Sequence, residues 1–284
     1  MVLPRRTYMY PSNMLRAMML MMTIGILSVA APAGANLQVH GGPAGGRSPH
    51  VGDGVAVANV PQYDLGGVHI GNSTVRWDAS GSPGVVLEAL GGSTTAKAMN
   101  IHGTVAGTID NIPAHLFVQW GASGVADPLS STADMISALP HDINDQGVIV
   151  GGMAKTNNLG TWAIRWENDG QTAIVLDPPQ TSPSGRAYAN ARVVNNNGTA
   201  AGISYVWNDQ GQQLGYGGVR WDAGSVTPTP LEALDQYMGY FHSDPYAIND
   251  ANIIVGRCLL LSDTGQWQNF VPARWTLRAT SHVC

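Results

Sequence analysis

The sequence predicts an all-β fold, a β-propeller of four-stranded antiparallel blades. Three observations predict it. An Asn-x-x-Gly-x-x-x-Gly motif recurs along the chain, a strand ending in Trp follows each copy, and a short apolar run holding a Leu follows the first four Trp. Four short strands per repeat, with turn residues at fixed offsets, is the pattern of a propeller blade; a linear β-array or a sandwich is the alternative.

The motif reads NIHGTVAG from Asn100, NDQGVIVG from Asn144, NNNGTAAG from Asn195 and NDANIIVG from Asn249. A degenerate copy, DLGGVHIG, starts at Asp64. The strands ending in Trp are TVRW at Trp77, FVQW at Trp120, AIRW at Trp166, GVRW at Trp221 and PARW at Trp275. The Leu positions are Leu87, Leu129, Leu176 and Leu231. Trp recurs at intervals of 43, 46, 55 and 54 residues, whereas Trp to Leu is nearly fixed at 10, 9, 10 and 10. The variation lies between the motif and Trp, so one hairpin lengthens along a constant framework.

Each element follows from its residues. Strand a leads to the Asn, as in Tyr246-Ala247-Ile248-Asn249. The Asn-Asp-x-Gly turn comes next; Asn and Asp bond their own backbone, and Gly accepts a positive φ. Strand b is the β-branched run such as Val148-Ile149-Val150, and strand c ends in Arg-Trp. A second polar turn, such as Asp222-Ala223-Gly224, leads to strand d around the Leu. Five Trp copies give five blades. One Trp per blade fills the wedge between sheets, burying on the order of 200 Å². Five of the 8 Trp residues hold this position, which explains their excess over the 3 Phe. Closure into a ring would remove exposed edges. The last strand d comes from the tail after Trp275 or from Val55-Ala56-Val57. The LEAL runs at Leu87 and Leu231, and residues 131–139, could form single helical turns.

The chain has 284 residues, a net charge of -5 and 12% charged side chains. Residues 1–35 read as a signal peptide. Arg5, Arg6 and Arg16 precede or border an uncharged run from Ala17 to Ala30, and Ala33-Gly34-Ala35 offers a cleavage site before Asn36. The run is too short for a bilayer, which needs about 20 residues. An uncleaved anchor and a twin-arginine route are the alternatives. Residues 36–52 are a Gly/Pro-rich leader, and 53–284 form a single repeat domain. Without the signal, 11 Lys+Arg face 19 Asp+Glu, a net of -8. Such a chain has no electrostatic reason to hold nucleic acid or anionic lipid. It is expected to be a secreted, periplasmic or surface monomer with no span in the mature part.

The alternation of Arg-Trp-Asp, LEAL, AIND and Val-Gly resembles the bacterial extracellular repeats of the HAF family. The match is Ala247-Ile248-Asn249 with Ile254-Val255-Gly256, Ala114-His115-Leu116-Phe117 before Trp120, and Leu87-Glu88-Ala89-Leu90-Gly91-Gly92. It covers residues 64–276. The resemblance implies an exported repeat protein and carries no catalytic residues.

Residues that could carry chemistry are few. Most Asp residues lie in turns. Glu88 and Glu232 share one repeat position, which fits packing better than a unique catalytic role. The His residues lack metal-ligand spacing, so no metal, cofactor or catalytic residue is assigned. Arg76, Arg165, Arg220 and Arg274 precede the repeat Trp and fit hydrogen bonding between neighbouring turns. Trp207 and Trp267 fall outside the repeat position, in the longest hairpins, with Tyr205, Tyr216 and Phe270 nearby. They form either a local cluster holding the hairpins or a surface for a glycan or protein. Cys258 and Cys284 are the only cysteines, and export permits a disulfide between them. A buried free Cys258 is the alternative. The leading function is a non-enzymatic structural or interaction module of unknown ligand. A carbohydrate-binding propeller and a propeller glycosidase are the rivals.

Overall fold

A computed structural model describes residues 55–64, 66–78, 83–110, 115–167, 169–234, 242–262, 264–276 and the backbone of 281–283. The proposed signal and leader lie outside them. The described chain is all strand and turn, with no helix.

The strands fall into successive antiparallel sheets. The first holds β1 (Ala56–Tyr63), β2 (His69–Trp77) and β3 (Val85–Val86). The second holds β4 (Ser93–Met99), β5 (Val105–Asp110), β6 (Leu116–Trp120) and β7 (Ala126–Pro128). The third is β8 (Met135–Ile143), β9 (Ile149–Lys155), β10 (Gly160–Glu167) and β11 (Thr172–Leu176). The fourth is β12 (Ala187–Val194), β13 (Ala200–Trp207), β14 (Gln213–Trp221) and β15 (Pro228–Pro230). A short parallel pairing of Gly160 and Thr161 with Ala187 and Tyr188 joins these two into one eight-stranded sheet. The fifth is β16 (Ser243–Ile248), β17 (Ile254–Leu261), β18 (Trp267–Trp275) and β19 (Ser281–Val283).

Register fixes the repeat. Trp77, Trp120, Trp166, Trp221 and Trp275 pair with Ala56, Val105, Ile149, Ala200 and Ile254. This corrects one assignment. The motif match makes Asp64 an a–b turn, yet it sits between β1 and β2, whose last residue is Trp77. It is therefore the b–c turn of the first sheet. Its carboxylate mimics the motif by accepting from the amides of Gly66 and Val68. Two further expectations fail. Residues 135–139 belong to β8 rather than a helical turn, and 87–89 are irregular. Val57 pairs within the first sheet, while β19 supplies the last sheet's fourth strand.

Four apolar clusters lie between consecutive sheets. Trp120 joins Val57 and Leu87; Trp166 joins Ala106 and Leu129; Trp221 joins Val150 and Leu176; Trp275 joins Ala201 and Leu231. Each of these four Trp is fully buried. Its indole N–H donates to the carbonyl just after the preceding sheet's Leu: Glu88 at 2.9 Å, Ser130 at 2.8 Å, Asp177 at 2.8 Å and Glu232 at 2.7 Å. The fixed Trp–Leu spacing thus serves a contact between neighbouring sheets.

The two motif glycines have different causes. Gly103, Gly147 and Gly198 adopt φ of 78°, 76° and 84°, and Asn252 replaces them at 58°. Asn tolerates that left-handed conformation better than other side chains. The second glycine is a matter of space. A Cβ at Gly107, Gly151, Gly202 or Gly256 would overlap the carbonyl of Thr95, Leu139, Asn190 or Asp244 on strand a. That strand bulges at Lys97, His141, Arg192 and Tyr246, always three residues before the Asn. The first and last sheets share no hydrogen-bonded pairing, and ring closure is not seen among the described residues.

Candidate functional site

The lengthening b–c hairpins carry Tyr205, Trp207, Tyr216 and Trp267, four of the aromatic residues singled out from the sequence. Tyr205 and Trp207 end β13, Tyr216 lies early in β14, and Trp267 begins β18. In β13–β14 the pairing of Tyr205 with Tyr216 puts the two rings side by side. Cross-strand aromatic pairs of this kind stabilise a hairpin.

The structure joins all four into one run of rings. Tyr188 stacks on Tyr205 at 4.1 Å, and Tyr205 meets Trp207 at 5.9 Å and Tyr216 at 6.4 Å. Tyr216 meets His242 edge-on at 3.4 Å, and His242 meets Trp267 at 5.4 Å and Phe270 at 6.0 Å. Sequence reading missed Tyr188 and His242. Tyr188 lies at the start of strand a, where the β12–β13 register sets it beside Tyr205; His242 precedes a strand a and reaches Tyr216 across the junction with the preceding sheet. The parallel bridge between Tyr216 and His242 joins the fourth and fifth sheets here.

The members differ in exposure. His242 is buried, and Trp267 is 65% exposed. Trp207 is clamped through its backbone. Gln180 accepts from its N–H at 3.1 Å and donates to its carbonyl at 2.8 Å. The Trp207 indole N–H is buried without an acceptor among the described residues. Trp207 is therefore part of a packed cluster, whereas Trp267 presents its ring to solvent. A cleft of about 190 Å³ opens beside it, lined by Gln213, Leu214, Gly215, His242, Leu259, Leu261 and Trp267. The third Trp outside the repeat position, Trp162, lies elsewhere under Lys155, with its indole on the Leu159 carbonyl.

Charge at this site is concentrated on Asp244, a buried carboxylate held by Arg192 of the fourth sheet and Arg257 of the fifth. Arg257 lies over the Phe270 ring at 4.0 Å. Burial lowers the His242 pKa, with Asp244 opposing and Arg257 adding to the shift. The imidazole is thus held toward its neutral form. Burial raises the Tyr216 and Tyr205 pKa values, keeping both phenols protonated. The arrangement offers ring faces, one cleft and paired charges.

Cys258 is buried and has no disulfide partner among the described residues; Cys284, and with it the expected bridge, lies outside them. Among the described residues no group of three or more His, Cys, Asp or Glu is placed to hold a metal.

No family model and no curated protein matches this chain. Among solved structures it is similar to TolB from Acinetobacter baumannii, with a TM-score of 0.47 and 10% identity over 79% of this chain. It spans about half of that protein, 51%. It is similar to dipeptidyl peptidase 4 of Porphyromonas gingivalis, with a TM-score of 0.47 and 11% identity over 80% of this chain and 33% of that one. A putative TolB from Agrobacterium tumefaciens gives a TM-score of 0.43 and 9% identity over 79% of both chains.

Proposed function

We propose that this is an exported, non-enzymatic repeat protein of the HAF type. Its five sheets are propeller-type blades, and it acts as an interaction module. The observation that carries the reading is the ring run at the fourth and fifth sheets, ending on the exposed Trp267 beside a cleft. Aromatic faces of this kind suit recognition, because they offer large contact area with few rotors to immobilise.

The carboxylates support a non-catalytic reading. The Glu88 side chain accepts from the Ala126 amide, and its carbonyl takes the Trp120 indole. The equivalent Glu232 carbonyl takes Trp275. A repeated position engaged this way serves the sheet junctions. Export, with a periplasmic, secreted or surface location, is supported by the apolar N-terminal run and its small-residue site. A carbohydrate ligand is the second reading, favoured by the stacked faces of Tyr188, Tyr205 and Tyr216.

The test is a binding screen of the mature chain against neutral polysaccharides, followed by Trp fluorescence. Binding lost in Trp267→Ala, with an unchanged melting temperature, is the expected result for the carbohydrate reading. Turnover of chromogenic glycosides or esters by the purified chain would sink the non-enzymatic reading.

A further inference from the structure

The last sheet exposes a face that the same repeat positions bury at every internal junction. Ala106, Val150 and Ala201 are each fully buried against the next sheet, and their equivalent Val255 is 44% exposed. Asn100, Asn144 and Asn195 donate through Nδ2 to the next sheet's Asn carbonyl, at 3.1, 2.8 and 2.8 Å. Asn249 Nδ2 meets no acceptor among the described residues. Arg76 reaches the carbonyls of Gly121 and Ala122, and Arg165 reaches those of Asp222 and Ser225, in each case the turn after the Trp of a sheet farther along the chain. Arg274 reaches none among the described residues. Solvent-facing terminal repeats are normally capped by a polar surface. This one shows Val255, Tyr246 and Phe270 instead.

The first sheet carries the matching half. At internal junctions the residue facing the Val255 position is the repeat Trp and its paired residue: Trp166 with Ile149, or Trp275 with Ile254. The first sheet presents Trp77 paired with Ala56. Trp77 is only partly buried, and its indole N–H has no acceptor among the described residues, unlike the other four. Among the described residues no strand pairing joins these two sheets within the chain.

We infer that the fifth sheet of one copy docks on the first sheet of a second copy, head to tail, through Val255, Asn249 and Arg274 on one side and Ala56 and Trp77 on the other. The junction repeats the geometry of the internal ones. Such a heterologous contact builds closed rings of copies or open filaments, depending on the angle between them.

The experiment uses the mature chain with Cys284→Ser. One preparation carries Val255→Cys alone and a tagged one carries Ala56→Cys alone. The expected result is a covalent dimer joining the two, and a mass by light scattering that rises with concentration. Val255→Asp should weaken that association by at least about tenfold with an unchanged melting temperature. A chain carrying both cysteines that crosslinks only within itself as a monomer would overturn the proposal in favour of ring closure. A monomeric mass at every concentration, or association indifferent to Val255→Asp, would also overturn it.

Discussion

The side-chain amide of Asn144 donates to the main-chain carbonyl of Asn195 at 2.8 Å, across the junction of the third and fourth sheets. Its Oδ1 meanwhile accepts from the amides of Gln146 and Val148 in its own turn, at 3.0 and 2.8 Å. One side chain thus closes a turn and ties two sheets. Asn100 and Asn195 do the same one step earlier and later. Asp could make the turn but could not donate across the junction, which accounts for Asn at this position.

Replacing Asn144 should therefore cost more than replacing Asn249. Asn144 is buried, and Asn144→Ala leaves two turn amides and the Asn195 carbonyl without that partner. A loss of about 2–3 kcal/mol is expected. Asn249 is exposed and lacks the onward bond among the described residues, so Asn249→Ala should cost about 1 kcal/mol. Urea unfolding of the two variants measures the difference; equal losses would sink the ladder.

The Trp position makes a parallel prediction. Trp166→Phe removes the indole that bonds Ser130 and leaves a void in a fully buried cluster. About 2–4 kcal/mol should be lost. Trp77 is less buried and bonds no described carbonyl, so Trp77→Phe should cost under about half as much. Chemical denaturation of both variants checks the ranking.

Much of this was legible in the sequence because the repeat is local. Turn amides, the β-rich strand and the Trp–Leu interval are all set by residues within one unit. The bonds between units were less legible, because a Trp indole and a Glu88 carbonyl 32 residues apart share no sequence pattern beyond the interval itself. The Asp64 motif misled for a physical reason. An Asx turn closes an a–b and a b–c hairpin with the same hydrogen bonds, so the motif alone does not say which it is. Likewise His242 could not be placed in the ring run from sequence, since its link to Tyr216 crosses to a different sheet.

The second motif glycine should tolerate no side chain. Gly202→Ala would drive a Cβ into the Asn190 carbonyl at the strand-a bulge, where only backbone movement could relieve it. About 3 kcal/mol or more should be lost. Gly121→Ala, where a Cβ meets open space, is the control and should change the unfolding midpoint little.

The final prediction concerns pH. His141 occupies the strand-a bulge of the third sheet, between the equivalent Lys97 and Arg192 of its neighbours. Burial above all, then the Arg192 charge, and to a lesser extent Lys97, push its pKa from 6.5 down to about 4. The folded imidazole therefore stays neutral over a range in which the unfolded chain takes up a proton. Between pH 6.5 and about 4 the unfolded state binds more protons, so stability must fall as pH falls through that window. Above it both states are neutral, and below it both are charged, so the slope from this residue vanishes on either side. A shift of that size corresponds to about 3 kcal/mol across the window. Other groups also titrate there, so the variant His141→Gln isolates the term. Urea unfolding at pH 7 and pH 4.5 should show the parent losing about 2–3 kcal/mol more than His141→Gln. If the two lose stability in parallel, the imidazole is not held neutral in the fold.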